Sequence, residues 1–481
     1  MARHPDHTPC LVYANAKGEI KDLPDLLMAS RSGHQFRQPQ LQALVPLPPG
    51  SELFVLPQRQ PVGFTPDSGE PLLLEEDPDE PGSPAQAVAA FIAPAHTAIL
   101  GAAYQKAPEC TVTLPLFAYT AVGWYRDRFW VCAFRSDPDP RQDFARHRAG
   151  AIKKHTNQRL AAMPNNRLVQ HLGKCCLTYG CPAAVNYFMD SFEAPLPTSP
   201  VCNARCLGCI SLQPSGCCPA TQDRIKFVPS PGEIADIAVE HLEKTGHVVS
   251  FGQGCEGEPL MQADTIAAAI KLIRHRTKKG RINCNTNAGR TTALADLVDA
   301  GLDAIRVSLN SAQDKYHRLY YRPVDFDLDQ VRNSIRLFKA ADRFVSLNYF
   351  VLPGFADDPA EFAALNELIS DCRPDFIQLR NLNMDPDWYL EAIDFTPSGE
   401  AMGILAWRQA LADRFPHLGF GYFNPPPNSY RASTGSSAGQ PGKERRRPQK
   451  KRKSASHSKP EQPAAGWQAT NGGRQRKGKR P

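Results

Sequence analysis

The feature that most constrains the fold is a regular alternation of strand and helix patterns between residues 199 and 421. Short runs of β-branched and aromatic residues alternate with longer segments whose apolar residues recur at helical spacing. Strands that alternate with helices form parallel sheets with right-handed crossovers, and six such units cannot close an eight-stranded barrel. We therefore predict an α/β fold built on an open, partial (βα)6 TIM-like barrel. The predicted strands lie near 201 and at 248–251, 281–285, 304–309, 344–350 and 376–382, and the predicted helices at 230–242, 262–275, 292–300, 328–341, 359–371 and 398–415.

Three cysteines stand close together at the start of this region, at Cys202, Cys206 and Cys209. Three thiolates on one tight loop can converge on a single metal centre, because thiolate is the soft ligand that iron–sulfur clusters use. A closed cluster or a structural zinc site takes four protein ligands. A loop with three thiolates therefore leaves one metal position open for another ligand. Zinc at the three cysteines is the alternative that this pattern leaves open.

The CxxxCxxC spacing of these cysteines resembles the signature of the radical S-adenosylmethionine (SAM) enzymes. The resemblance covers about residues 199–421. It implies that Cys202, Cys206 and Cys209 hold a [4Fe-4S] cluster whose remaining iron binds SAM. It further implies reductive cleavage of SAM to a 5′-deoxyadenosyl radical that abstracts a hydrogen atom, with an electron donor such as flavodoxin or ferredoxin. The substrate stays open between a small molecule, a peptide and RNA.

A glycine-rich run follows the second predicted strand, at the strand end where the active sites of parallel α/β barrels lie. Gly257, Glu258 and Pro259 are similar to the family's GGEP motif, with Glu256 in the place of the first glycine. Glycine lets the backbone approach a ligand closely. The resemblance implies that this run contacts the amino group of SAM, with Glu258 as the charged partner.

Polar residues also follow the later strands, in the order that a partial barrel requires. Asn287 lies in an Asn-Thr-Asn-Ala run similar to the family's TNG element beside the cofactor. Ser308 and Asn310 end the fourth strand, and the resemblance implies that they contact the SAM carboxylate or ribose. Further candidates are Arg318 and Arg322 for that carboxylate, the stretch 348–354 for the adenine side, and Gln378, Arg380 and Asn381 for the substrate side of the barrel.

The chain divides by composition into three predicted domains: a mixed α+β accessory domain over 1–190, the radical SAM barrel over 191–425 and a disordered basic tail over 426–481. The accessory domain carries no catalytic motif that we recognise, so we expect it to pack against the barrel or shape the substrate site. Within it we predict a β-hairpin at 117–134, a weak helix at 85–92 and a helix at 141–172 that is interrupted near Pro164.

Five further cysteines flank the CxxxCxxC run. They could supply an auxiliary iron–sulfur or zinc site. The alternative is that they are buried or unpaired thiols, since adjacent cysteines rarely bind one metal together. The five residues are Cys175, Cys176, Cys181, Cys217 and Cys218.

The basic character of the chain belongs to its tail. Residues 431–481 hold 15 Lys and Arg against 2 Asp and Glu, a net charge of +13; since the whole chain carries +7, the remainder carries −6. A segment this polar and like-charged cannot bury enough surface to offset its ordering entropy. It could hold nucleic acid through phosphate contacts, or be a solvated tail without a partner. The rival to the enzyme hypothesis is a non-catalytic iron–sulfur or zinc protein that binds nucleic acid through this tail.

Composition also bears on location. No apolar run reaches the roughly 18 residues that a membrane span needs, and the first 24 residues are polar, without a secretory pattern. Fourteen cysteines in such a chain favour a reducing compartment. We therefore expect a cytoplasmic protein with no membrane partner.

Overall fold

The computed structural model describes residues 8–140, 143, 146–213 and 218–427. These residues fall within one compact unit, Met1–Arg431. Cys217 lies outside the described residues, and so does the predicted basic tail from residue 428 onward. The hypothesis that the tail binds nucleic acid therefore stays a prediction. In the described part of the chain, no helix is long and apolar enough to cross a membrane.

The first third of the chain forms antiparallel sheets. The largest sheet has the central order β12-β16-β15-β1-β2-β7-β14, and β11 joins it by pairing with both β1 and β6. The strands are β1 Cys10–Ala14, β2 Ile20–Met28, β3 Ser30–Ser32, β4 Gln35–Arg37, β5 Leu44–Pro46, β6 Glu52–Leu56, β7 Arg59–Phe64, β8 Pro71–Leu73, β9 Glu76–Asp77, β10 Glu80–Pro84, β11 Gln86–Phe91, β12 His96–Ala98, β13 Gly101–Ala102, β14 Tyr104–Lys106, β15 Val122–Tyr125 and β16 Arg128–Arg135.

The predicted hairpin is confirmed, and the predicted helix at 85–92 is wrong. β15 and β16 pair antiparallel across Arg126 and Asp127, which both have positive φ, as a two-residue hairpin turn requires. The segment 86–91 is instead strand β11, paired with β6 from Ala87↔Leu56 to Phe91↔Glu52. A short buried run rich in alanine has no period that separates a helix from a strand, so only its pairing decides.

The rest of the chain alternates helices with a parallel sheet. The helices are α1 Ala149–Ala162, α2 Arg167–Tyr179, α3 Pro182–Phe188, α4 Pro231–Thr245, α5 Ala263–Arg276, α6 Thr291–Ala300, α7 Asp314–Tyr321, α8 Leu328–Ala340, α9 Pro359–Cys372, α10 Pro386–Ala392 and α11 Ile404–Arg414. The strands are β17 Glu193–Pro195, β18 Val248–Phe251, β19 Arg281–Thr286, β20 Ala304–Leu309, β21 Phe344–Val351, β22 Phe376–Asn381 and β23 Gly419–Gly421.

The seven strands lie in chain order, β17 to β23, and every neighbouring pair is parallel. The sheet curls into the predicted partial barrel. Two details of the sheet differ from the prediction: the first strand lies at Glu193–Pro195 rather than near 201, and β23 adds a short seventh strand. Among the helices, α11 begins at Ile404 rather than at 398, and α7 and α10 are additional. The first strand was missed because it is a three-residue edge strand that ends in proline, a residue that only sheet edges tolerate.

Side chains alternate along the barrel strands between a buried outer face and a polar inner face. Val307, Leu347 and Leu379 are completely buried in the core against the helices. On the inner face, Arg306 of β20 donates to Gln378 Oε1 of β22, 3.0 Å away. That core also includes side chains of α2 and α3, so it extends on both sides of residue 190, where the predicted domain boundary stays a prediction.

The antiparallel region docks on α10 through buried ion pairs. Arg59 Nη2 lies 2.7 Å from Asp385 Oδ2, and Arg31 Nη1 lies 2.7 Å from Asp387 Oδ1. A second contact joins Gly33 and Pro353, whose amide and carbonyl are 2.8 Å apart just after β21. The antiparallel sheets therefore pack against the segments that follow β21 and β22.

Candidate functional site

Cys202, Cys206 and Cys209 lie on one loop between β17 and α4, which we call the cluster loop (residues 202–209). Its backbone is fixed by the end of α7: the Arg205 amide donates to the Tyr321 carbonyl (2.9 Å) and the Leu207 amide to the Tyr320 carbonyl (3.0 Å). The prediction missed α7 and placed its residues on a loop. The helix thus gives the cluster loop a fixed partner.

The three thiols are partly exposed and close enough to affect one another electrostatically. Burial raises the pKa of Cys202 to about 11, and Glu258 and Cys209 add to the rise. Burial also raises the pKa of Cys206 well above its usual value, with Cys202 and Cys209 contributing. Three grouped thiols, of which Cys202 and Cys206 have raised pKa values, fit a metal centre, because bound iron supplies the positive charge that stabilises thiolates.

Arg224 provides one cation at this loop. Its Nη2 lies 3.3 Å from Cys209 Sγ and its Nε donates to Ser211 Oγ at 3.1 Å. A guanidinium stays charged at any physiological pH, so it stabilises negative charge on the Cys209 sulfur. Sequence reasoning did not single out Arg224, because it lies 15 residues beyond that cysteine.

Gly257, Glu258 and Pro259, which we call the GEP run, are hydrogen-bonded to the segment that leads into the cluster loop. The Gly257 amide donates to the Ser199 carbonyl (2.7 Å), and the Glu258 amide donates to the Val201 carbonyl (2.9 Å). A Cβ atom on Gly257 would lie 2.0 Å from the Val201 carbonyl oxygen. Only glycine therefore permits this approach, which brings the predicted Gly257 and Glu258 against the chain that enters the cluster loop.

Glu256, which departs from the family motif, has a structural role that the sequence did not reveal. One of its carboxylate oxygens accepts from the Thr198 and Ser199 amides, and the other accepts from the Gly252 and Gln253 amides, at 2.7–2.9 Å. Burial raises its pKa to about 7 although all four amides favour the charged form. Glu256 thus joins the turn after β18 to the chain that enters the cluster loop.

The Glu258 side chain connects the GEP run to the end of β19. Its Oε1 accepts from the Thr286 hydroxyl at 2.5 Å and its Oε2 accepts from the Asn287 amide at 2.9 Å. Burial raises its pKa to about 7. Pro259 follows as the first residue of a 3-10 helix, Pro259–Gln262, for which Glu258 is the N-cap.

Asn287 completes this connection, since its Nδ2 donates to Asn203 Oδ1 of the cluster loop at 2.8 Å. The next residue, Ala288, has a φ of 56°, a left-handed conformation that favours glycine. That conformation explains why the similar family element carries glycine at this place. The structure thus brings Gly257, Glu258, Pro259 and Asn287 together beside the cysteines.

The two candidates at the end of β20 differ in their surroundings. Ser308 lies in register with Asn348 of β21, on the inner face of the sheet. Asn310 is fully buried, and its Nδ2 donates to the Tyr316 carbonyl (3.1 Å) and the Tyr389 hydroxyl (3.2 Å). Their contacts with SAM stay predictions. Arg318 lies on the exposed side of α7 in an ion pair with Asp314.

The inner face of β20 and β22 carries two arginines. Burial lowers the pKa of Arg306 to about 10, with Arg380 adding to the drop, while Glu193 on β17 opposes it. Arg380 donates to the Tyr422 carbonyl at 3.1 Å and lies over the Tyr422 ring. The prediction of Gln378 and Arg380 on the inner face agrees with these contacts, whereas Asn381 bonds the His96 carbonyl and the Ala98 amide of the antiparallel region.

The flanking cysteines lie in different surroundings. Cys176 contacts the Thr156 hydroxyl at 3.4 Å, and Cys218 belongs to an apolar cluster with Leu207 and Tyr320. Cys175 instead lies beside His171, 3.6 Å from its Nε2, and near Cys255. The five cysteines singled out from the sequence are thus not the group that the fold assembles among its described residues.

Comparison with known proteins gives one family and several structures. Residues 196–365 match the family described as "Radical SAM superfamily". No curated protein matches the chain. Similar solved structures include anSMEcpe with bound AdoMet (17% identity, TM-score 0.30), methylornithine synthase PylB (12%, 0.34) and a radical SAM methyltransferase from Sphaerobacter thermophilus (14%, 0.31).

The alignments are partial. The alignment with anSMEcpe covers 40% of this chain and 51% of that protein. The alignment with PylB covers 57% and 72%, and the alignment with the methyltransferase covers 42% and 63%. The chain spans about half the length of anSMEcpe. At these TM-scores the alignments assign no residue role and no substrate to this chain. The family match, over residues 196–365 of the 481, contains all three cysteines, the GEP run and the strand ends of β18 to β21.

Proposed function

We propose that this protein is a radical SAM enzyme that binds a [4Fe-4S] cluster through Cys202, Cys206 and Cys209 and binds SAM along the ends of β18 to β20. When bound, these cofactors supply a 5′-deoxyadenosyl radical that abstracts a hydrogen atom from the substrate. The protein's own contribution is to position the reactants and to exclude water. An external donor such as a flavodoxin or ferredoxin supplies the electron.

The observation that carries this proposal is the continuous hydrogen bonding between the cluster loop and the GEP run. The amides of Gly257 and Glu258 bond the chain just before Cys202, and Asn287 bonds Asn203 within the loop. The positions proposed for iron and for SAM therefore belong to one rigid unit. A loop that only held a structural metal would not need these bonds to the ends of β18 and β19.

The polar inner face supports a substrate chamber below these strand ends. Arg306, Ser308, Asn348 and Arg380 are partly exposed there, whereas the alternate residues of the same strands are buried. Glu193 on β17 is a carboxylate that raises the pKa of Arg306, and the hydrogen-bond partner of Arg306 is the neutral Gln378. A chamber with more guanidinium than carboxylate groups favours a substrate that carries a carboxylate or phosphate.

The cluster is tested by iron and sulfide analysis and by electron paramagnetic resonance of the dithionite-reduced protein after anaerobic reconstitution. We expect about four iron atoms per chain and a spectrum that changes when SAM is added. Cys202→Ala, Cys206→Ala and Cys209→Ala should each lose most of the iron, while the matched control Cys372→Ala, buried on α9 beside Arg332, should keep it. Zinc in place of iron in the wild type, or equal iron in all variants, would contradict the proposal.

A further inference from the structure

Three side chains of the types that ligate metals lie close together near the GEP run. A ligand atom of His171, the Cys175 sulfur and the Cys255 sulfur all lie within 4.8 Å of one another. His171 and Cys175 are four residues apart on α2, so they face the same side of that helix. Cys255 comes from the turn after β18, directly before Glu256. The fold thus brings together residues that are 80 or more positions apart.

The distance between the His171 and Cys175 ligand atoms fits a tetrahedral ion. Zn–S bonds of about 2.3 Å and Zn–N bonds of about 2.0–2.1 Å place a nitrogen and a sulfur ligand about 3.6 Å apart at the tetrahedral angle. His171 Nε2 and Cys175 Sγ are 3.6 Å apart. Two thiolates with one imidazole form a donor set that zinc prefers.

The surroundings also favour a bound ion. Cys175 and Cys255 are almost fully buried, and paired thiolates at such depth need a cation to compensate their charge. His171 and Cys175 line a surface cavity of about 380 Å³ together with Lys174, Arg224 and Phe227, among others. This cavity gives an ion a route to His171 and Cys175, the two donors that line it.

We propose that His171, Cys175 and Cys255 bind one Zn²⁺ ion, with water in the fourth position, and that the ion ties α2 to the turn carrying the GEP run. Cys181 is outside this donor set because its sulfur is not within 4.8 Å of all three donors. Glu256 holds the same turn by four amide bonds. The ion and the carboxylate therefore fix the turn from two sides.

The test measures zinc, iron and copper in the full chain by mass spectrometry, in a background where Cys202, Cys206 and Cys209 are all changed to Ala. That background removes the cluster loop as a source of metal ligands, so the result does not depend on the proposed enzyme function. We expect about one zinc ion per chain. His171→Ala and Cys255→Ser should each reduce the zinc content at least about tenfold, because two protein donors hold zinc weakly.

Cys176→Ser is the matched control, since Cys176 neighbours Cys175 on α2 but contacts the Thr156 hydroxyl instead. It should keep its zinc, and circular dichroism should show all variants folded. A second readout is titration of the metal-free protein with Co²⁺, whose visible absorption bands report tetrahedral thiolate ligation. Those bands should form in the background protein and disappear in Cys255→Ser.

Two results would overturn the zinc site. One is a zinc content that His171→Ala and Cys255→Ser leave unchanged. The other is a zinc-free background protein that binds no Co²⁺, including one in which Cys175 and Cys255 form a disulfide. If the triple variant does not fold, the same comparison is made with the cluster loop intact after anaerobic reconstitution, where zinc is counted beside iron. Failure of the cluster itself changes the iron content and leaves this zinc comparison intact.

Discussion

The guanidinium of Arg59 lies 2.7 Å from the carboxylate of Asp385, and both side chains are almost completely buried. The same carboxylate caps α10 by accepting from the Asp387 and Trp388 amides and also accepts from the Leu114 amide. One ion pair thus holds β7 of the antiparallel region on the helix that follows the sixth strand of the barrel. This buried ion pair therefore holds the antiparallel region against the segment that follows β22.

Removing this ion pair should destabilise the whole described unit. Arg59→Ala leaves Asp385 buried without its cation, so we expect the free energy of unfolding to fall by about 3–5 kcal/mol. Urea unfolding followed by circular dichroism measures it. Arg37→Ala is the control, because Arg37 and Glu400 also join the two regions but are exposed. It should cost less than about 1 kcal/mol, and equal losses in the two variants would contradict this account.

Gly257→Ala should separate the GEP run from the cluster loop. The new Cβ would lie 2.0 Å from the Val201 carbonyl oxygen, so the backbone must move by about 1 Å or more. We expect SAM affinity to fall at least about tenfold, because misplacement on this scale disrupts a positioned site. Equilibrium dialysis with labelled SAM on the reconstituted protein measures it.

Gly232→Ala is the matched control for that substitution. Gly232 lies in the first turn of α4, and a Cβ there meets only Ser230 Oγ at 3.8 Å. The control should bind SAM like the wild type and unfold at the same or a higher denaturant concentration, since alanine favours helix. Equal SAM affinity in Gly257→Ala and Gly232→Ala would show that the close approach is not needed.

His241 should make stability sensitive to acid. It is buried on α4, and burial lowers its pKa to about 4. Between about pH 6.5 and this value the unfolded chain takes up a proton that the folded chain does not, so stability falls as the pH falls. His241→Leu should flatten the unfolding profile over this range by about 3 kcal/mol. A wild-type slope retained in His241→Leu would argue against a buried neutral imidazole.

Arg306→Met should stabilise the protein. Arg306 is held on the inner face of the barrel by a neutral partner, and burial lowers its pKa to about 10. Replacing this charge by an apolar side chain of similar length should raise the free energy of unfolding by about 1–3 kcal/mol. Thermal unfolding measures it, with Arg59→Met as the contrasting variant that should lose stability. A destabilised Arg306→Met would mean that the arginine serves the fold rather than a substrate.

Local patterns in the sequence were sufficient for the barrel and for the cysteine loop. The strands β18 to β22 carry buried apolar residues, and the capping box of Ser230 and Glu233 marks the start of α4. The strand ends that follow are polar, so Gly257, Glu258 and Asn287 could be singled out and are found next to the loop. Their contacts with SAM are still predictions.

Other parts of the site depend on contacts that no local pattern encodes. Glu256 read as a departure from a glycine motif because its partners Thr198 and Ser199 precede it by more than 50 residues. His171 lies close to Cys255 because α2 packs beside the sheet, which no local sequence pattern encodes. α7 was missed because its apolar face is made of tyrosines and a histidine rather than aliphatic residues.

The central claim is that this chain cleaves SAM at the cluster loop. The direct measurement is 5′-deoxyadenosine, separated by chromatography after the reconstituted protein is reduced with dithionite and given SAM. We predict product from the wild type and from the Cys372→Ala control, and none above background from Cys206→Ala. Equal product from Cys206→Ala, or no product from a wild type that binds neither iron nor SAM, would contradict the account.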